Sequence, residues 1–481
     1  GRGVNWISIK DGSKGRVQGN TITGNAREGF YFDDVEQGSS LDILDNIVSG
    51  NGGYGIRLFE YEDGCAGLIQ GNTITGNGRD GFYMSDDPSH GSRVTAEDND
   101  IRENGGTGFR VDDVEYGGYL TVVNNRIEDN HGMGMYLYEV DSGSDCVIGG
   151  NSIVGNAVYG IYVRSGADYG GLLTMTGNTV AETGADVSGL YVGTGCGGET
   201  DFYLQNATVY LDDADIVPGS EAVYLDGVPV AEGEYDFNEW GEITFDVAPA
   251  GGVVVTADFT LDVGGWGIFV DNDVDEGSVL TIQGNDVTNN EWSGIFIRDI
   301  GAQGAATAFV EANIASDNGV HGIAVGRDDF GVRYGSSLTI ADNEATGNVE
   351  NGIHLQKVES GSVAHTAGNT VTENGGAGLW LCGGDDTLED GEAYVRGNSF
   401  DANEGWGIYG YVRHALLDVS NCNKVTNNAE GGIHIDGETL GMVEIHNNNI
   451  EGNAEWGMLN DGGETVDATD NWWGDIGGPY H

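Results

Sequence analysis

The chain repeats itself about every 26 residues, and any fold it adopts must honour that period. The heptapeptide GNTITGN stands at 19–25 and again at 71–77. It is the clearest copy of a looser pattern, N-x-Φ-x-x-N, in which Φ is apolar. The first Asn recurs at Asn20, Asn46, Asn72, Asn99, Asn125, Asn151 and Asn178, then after a gap at Asn285, Asn313, Asn343, Asn369, Asn398, Asn423 and Asn448, with a divergent copy at Asn471. Most copies carry a second Asn five residues on, and four residues later a Gly-Φ-x-Φ segment such as GFYF (29–32), GIYV (160–163) or GIHI (432–435).

A third alternating segment precedes each marker Asn, as in LDI (41–43), LTV (120–122) and VEI (443–445). Each unit therefore holds three short strands of period two separated by Gly/Asn turns, with no helical periodicity of useful length. One such unit cannot bury its apolar face alone, so the units must stack. Sixteen or so coils at about 4.8 Å per turn make an all-β rod, a parallel β-helix, on the order of 75 Å long. Asn is expected at the turns for two reasons: it tolerates left-handed backbone, and its amide can bond to the same amide in the coils above and below.

These GN-x-Φ-x-x-N and GΦ-x-Φ repeats resemble the right-handed parallel β-helix (pectate-lyase-like) superfamily, over all of the chain except an insertion. The closing DNWWGDIGGP (470–479) is similar to a terminal motif of such repeats. The resemblance implies the right-handed solenoid. It leaves function open, because the superfamily holds lyases, hydrolases, epimerases, tailspikes, adhesins and scaffolds. Its Arg-x-Lys, Gly-His-Gly and Tyr-Gly-Phe-Asp-Pro-His catalytic motifs are absent from this sequence.

Between GLYV (189–192) and GIFV (267–270) the spacing is too long for one coil. The segment contains Pro218, Pro229 and Pro249 and alternating stretches broken by turns such as Asp226-Gly227. The expected division is β-helix over 1–210, a small antiparallel β module over 211–263, and β-helix over 264–481.

Two outward stripes carry the functional information. In Gly-Φ-x-Φ the two Φ residues face in and x faces out. Nine of the fourteen x positions are aromatic: Tyr31, Tyr83, Tyr136, Tyr162, Tyr191, Phe269, Phe296, Trp380 and Tyr409. Such a face either stabilises the sheet through stacked rings or contacts a sugar or another protein. The following loops are acidic, and stacking would align their carboxylates. The candidate metal ligands are Asp33, Asp34, Asp86, Asp87, Asp112, Asp113, Asp271, Asp273, Asp328, Asp329, Asp385 and Asp386. Calcium, which takes flexible oxygen ligands, is the cofactor such a column would suit. Two groupings could be imagined as catalytic: Arg110 with Asp112 and Asp113, and His354 with Arg327, Asp328 and Asp329.

A formal net charge of −59 repels phosphate backbones and excludes nucleic acid as a partner. No apolar run approaches the roughly 20 residues of a membrane span. Cys65, Cys146, Cys196, Cys382 and Cys422 are too irregularly spaced for a disulfide framework and read as free thiols. The chain starts inside a repeat and stops abruptly, as expected of a mature or excised part of a longer secreted protein. The favoured reading is a non-catalytic extracellular or cell-surface rod, serving as scaffold, adhesin or filament subunit. Its aromatic face would meet another copy, a surface polysaccharide or a protein. A carbohydrate-binding module is the alternative, and a polysaccharide-active lyase or hydrolase a further one.

Overall fold

The structure is a computed structural model. It describes residues 1–474 except 87, 185, 195–200, 204–215, 217–219, 232–233, 238–241, 246, 248–249, 251–253, 261–264, 328, 360, 382–387, 390, 440 and 464. Asp87, Asp328, Asp385, Asp386, Cys196 and Cys382 therefore lie outside the described residues. Cys65, Cys146 and Cys422 are free thiols, the first two buried. Among the described residues no helix is long and apolar enough to cross a membrane.

Three long parallel sheets, of seventeen, fifteen and fourteen strands among the described residues, run the length of the rod, and the chain visits them in turn. The Gly-Φ-x-Φ segments form the first sheet, the segments before the marker Asn the second, and the x-Φ-x inside N-x-Φ-x-x-N the third. The second sheet counts fifteen strands, so the described residues form fifteen coils. Like residues meet in register on the inside: Ile74, Ile101, Ile127 and Ile153 follow one another in the third sheet. In the first sheet Phe82 and Phe109 stack at 4.4 Å with planes 9° apart. One hydrophobic core follows the axis from Ile9 to Ile450.

The Asn residues form two ladders. Each first Asn donates through Nδ2 to Oδ1 of the next, as from Asn20 to Asn46 at 3.0 Å and from Asn448 to Asn471 at 3.0 Å. The link from Asn178 to Asn285, at 2.9 Å, crosses the insertion without a break. In the second ladder Thr183 takes the place of one Asn and donates to Asn290 at 2.9 Å. Buried amides cost free energy unless paired, and repetition supplies every pair. The other reason expected for Asn is corrected. The left-handed residue is the one before each Asn, for example Gly19, Gly24, Asp45, Asp98 and Asn124. A residue without a Cβ, or one with a short polar side chain, tolerates that conformation. The glycine opening Gly-Φ-x-Φ serves differently: a Cβ on Gly55 would lie 2.5 Å from Gly81 O and 2.5 Å from Ile74 Cγ2.

The insertion begins earlier than residue 211. Asp186–Thr194 pairs antiparallel with Val254–Thr260, and Ala222–Leu225 and Val228–Pro229 complete a four-stranded sheet. A second sheet joins Asp201–Tyr203, Glu242–Phe245 and Tyr235–Phe237. GLYV thus belongs to the module and not to a coil, which explains fifteen coils where about sixteen were expected. Ile161–Val163 pairs directly with Ile268–Val274, so the chain leaves one coil after the third sheet and rejoins in the first. Tyr191 pairs with Thr256 inside the module and drops out of the aromatic stripe.

Candidate functional site

With Tyr191 removed, the outward positions of the first sheet form one continuous column. Register runs Tyr31, Arg57, Tyr83, Arg110, Tyr136, Tyr162, Phe269, Phe296, Ala324, His354, Trp380, Tyr409, His434. The column has three environments.

Its first stretch is closed on itself. Arg57 lies 5.7 Å from the Tyr31 ring and 5.4 Å from Tyr83, and Arg110 lies 4.8 Å from Tyr83 and 5.0 Å from Tyr136. Guanidinium planes between rings satisfy both through cation–π attraction. Tyr83 Oη donates to Asp112 at 2.7 Å and Arg110 Nε donates to Asp112 at 2.8 Å. The Arg110–Asp112 grouping is therefore a structural ion pair.

The middle stretch is not a surface at all. Tyr136, Tyr162 and Phe269 are each 2% exposed and Phe296 is 6% exposed, because the antiparallel module packs Val223, Ile243, Phe245, Val255 and Phe259 onto them. These four were expected on a contact face, and they are interior. The module buries its own apolar side on the stripe, as a small two-sheet unit must.

Beyond the module the stripe opens. His354, Trp380, Tyr409 and His434 are half-buried. Trp380 and Tyr409 stack at 4.1 Å with planes 14° apart, and His434 meets Tyr409 edge-on at 5.0 Å. Three hollows of ≈ 230, ≈ 390 and ≈ 400 Å³ follow one another here. His321 and His354 line the first two, and Asn351 and Trp380 line the second and third. Together they make a groove from Trp266, at the module's edge, to Trp406.

The groove's polar lining joins amides and imidazoles to the charged groups Arg327, Glu350, Glu404 and Glu430. His321 and His354 stack at 4.6 Å. Asn351 N donates to His321 Nδ1 at 3.3 Å, Ala377 N donates to Asn351 Oδ1 at 2.8 Å, and His354 Nε2 lies 3.0 Å from Gln356 Oε1. Burial pushes His321 down to about 3, aided by the neighbouring His354, and also lowers His354. His354 is thus engaged by Asn351, Gln356 and His321. His321, Asn351 and Gln356 escaped the sequence reading. The available signal was position: His321 directly precedes a coil glycine, the place that Tyr54, Tyr159, Trp266 and Trp406 hold in other coils.

The acidic stripe splits in two. Asp33 accepts from Tyr31 Oη at 3.0 Å, and Asp271, fully buried, accepts from Tyr162 Oη at 3.0 Å and Arg298 at 2.9 Å. Asp33, Asp112 and Asp271 thus turn back to the stripe. Their neighbours face one another between coils, Asp34 opposite Glu60, Asp113 opposite Glu139, and Asp273 opposite Asp299. Burial, then Glu62, Asp86 and Asp34, lift Glu60 to about 7. Burial, then Asp141, Asp168 and Glu115, lift Glu139 to about 7. Burial also raises Asp273, with Asp275 adding to it. Asp34, Glu36 and Glu60 bring ligand atoms within 4.8 Å of one another. Lys10 Nζ reaches the same place, 3.2 Å from Asp34 and 2.5 Å from Glu36. Asp329 is exposed.

Solved structures with a similar winding include the Dettilon tailspike protein, 11% identical over 88% of this chain with a TM-score of 0.38. This chain covers 62% of that tailspike. A double mutant of the periplasmic alginate epimerase AlgG is 11% identical over 91% of this chain and 78% of its own, at a TM-score of 0.38. The Azotobacter vinelandii mannuronan C-5 epimerase AlgE6 A-module is 11% identical over 97% of this chain and 89% of its own, at 0.27. No curated protein sequence matches significantly. The family model described as "Right handed beta helix region" matches residues 4–61, 59–209 and 262–392, more than half of the sequence. With its three parallel sheets and paired Asn ladders, the chain belongs to the right handed beta helix family.

Proposed function

We propose that this protein is a non-catalytic extracellular or cell-surface rod that holds an uncharged polysaccharide along the open groove of the first sheet. The observation that carries this reading is the groove itself: Trp380, Asn351 and Trp406 line adjoining hollows that begin at Trp266, and Tyr409 stacks on Trp380. Half-buried rings offer faces and edges to sugar C–H groups, and amides pair with hydroxyls. The rim carboxylates Glu350, Glu404 and Glu430 are exposed, and with a net charge of −59 they disfavour a polyanion.

Affinity electrophoresis against neutral and acidic polysaccharides tests the reading. A neutral glycan should retard the wild type, and Trp380→Ala with Tyr409→Ala should weaken that retardation at least tenfold. Retardation that survives the double substitution, or no retardation by any neutral glycan, overturns it.

A further inference from the structure

The turn from the first sheet into the second places a left-handed residue before a glycine. Register through Val114, Val140, Ala167 and Val274 aligns the residues two places on, which are Tyr116, Ser142, Tyr169 and Glu276 on successive coils. All four have positive φ, 50° at Tyr116 and 44° at Tyr169, where a bulky side chain is uncommon. Asp11, Gln37 and Asp63 hold the same position in earlier coils, so the turn does not call for a ring. The two tyrosines also bury little in return, being 55% and 57% exposed.

Side chains at this turn line up from coil to coil. His90 and Tyr116, on adjacent coils, stack at 5.3 Å with planes 25° apart. Tyr116 and Tyr169 stand two coils apart, about 9.6 Å. The coil between them offers only Ser142, whose side chain bonds to Asp141. The first-sheet column shows what such a spacing accepts. Arg110 lies 4.8 Å from Tyr83 and 5.0 Å from Tyr136, rings two coils apart, and donates to Asp112 at 2.8 Å. At the turn the rings and carboxylates recur, with a serine where that column has its arginine.

Glu115, Asp141 and Asp168 directly precede Tyr116, Ser142 and Tyr169. Burial raises the Asp141 carboxyl, with Glu115 and Asp168 adding to it, and burial raises Asp168, with Asp275 adding to it. A cation brought here would relieve that repulsion and lie against two rings. Arginine suits the place better than lysine, because a planar guanidinium stacks on rings and forks onto carboxylates. With a net charge of −59, a second copy of the chain is repelled, so charge complementarity favours a basic partner.

We propose that the Ser142 position between Tyr116 and Tyr169 receives an arginine side chain from an extended basic segment of a partner protein. The site is independent of the glycan groove and uses none of its rings.

The test compares tetra-arginine and tetra-lysine peptides, equal in charge, binding to the intact chain by calorimetry at physiological ionic strength. Tetra-arginine should bind about fivefold more tightly, and its side chains should give nuclear Overhauser contacts to the Tyr116 and Tyr169 rings. Tyr116→Asn with Tyr169→Asn, which keeps residues that tolerate the left-handed turn, should remove the preference. Tyr334→Asn should leave it, since the Tyr334 ring already has Arg333 at 5.6 Å. The wild-type contacts decide the matter even if the double variant does not fold. Equal binding of the two peptides, contacts that map elsewhere, or a preference that survives the double substitution in folded protein would each overturn the proposal. So would loss of the preference in Tyr334→Asn, or tighter binding of a glucosamine oligomer than of tetra-arginine.

Discussion

Phe269 and Tyr409 occupy the same position in their coils, face the same way and lie in one column, yet one is core and the other is surface. Around Phe269 the module's Val223, Phe245 and Phe259 replace water; Tyr409 is half-buried against its own neighbours in the column, Trp380 and His434. The first stretch is a third solution, in which Arg57 and Arg110 fill the space between rings with the protein's own cations. A row of aromatic side chains in a solenoid is therefore not by itself a binding face. What lies over each coil decides.

The contrast can be broken by substitution. Phe269→Ala should lower stability by about 3–5 kcal/mol, because it opens a cavity between rod and module. Tyr409→Ala should cost about 1 kcal/mol, because a half-buried ring loses mainly its stacking partner. Denaturant titration compares the two, and equal losses would mean that the module does not seal the middle stretch.

A ladder substitution falls between them. Asn99→Ala removes the donations to Asn125 Oδ1 and Ile69 O and takes Asn99 Oδ1 away from Asn72 N and Nδ2. A loss of about 3 kcal/mol is expected in the same titration. A cost under about 1 kcal/mol would show that the ladder follows the coil rather than supporting it.

The carboxylates give a smaller, pH-dependent effect. Glu60 and Glu139 titrate near 4.5 in an unfolded chain and at about 7 in the fold, so folding favours their protonated forms. That stabilisation is complete below about pH 4.5 and is lost as the pH rises through about 7. The thermal midpoint should fall over this window, and Glu60→Gln with Glu139→Gln should flatten the fall. An unchanged slope in the double variant would place the effect elsewhere.

The smallest effect concerns calcium. Lys10 already brings a cation to Asp34 and Glu36, whereas Glu139 stands among the carboxylates Asp141, Asp168 and Glu115. Millimolar Ca²⁺ at pH 7 should stabilise the protein by less than about 1 kcal/mol. Calorimetry should show that Glu139→Gln abolishes the gain and Glu60→Gln does not; no gain in the wild type ends the calcium reading.

Most of the fold was legible in the sequence because a solenoid is held by neighbours of identical kind. Asn20 and Asn46 meet because each is the same point of one period, and Ile74 meets Ile101 for the same reason. The order of residues along the outward column followed too, apart from Tyr191. The pattern of its segment, GLYV, is the same in a coil strand and in an antiparallel strand, and only pairing with Thr256 tells them apart.

Periodicity thus determined on its own the three strands per coil, the inward and outward sides, and the ladders, since each follows from a local rule repeated at one interval. Tertiary structure alone decided which outward rings are covered and that His321 and Asn351 converge on His354. Those contacts join residues on different coils, or a coil and the module. Their chemistry depends on who sits opposite, which no single period records.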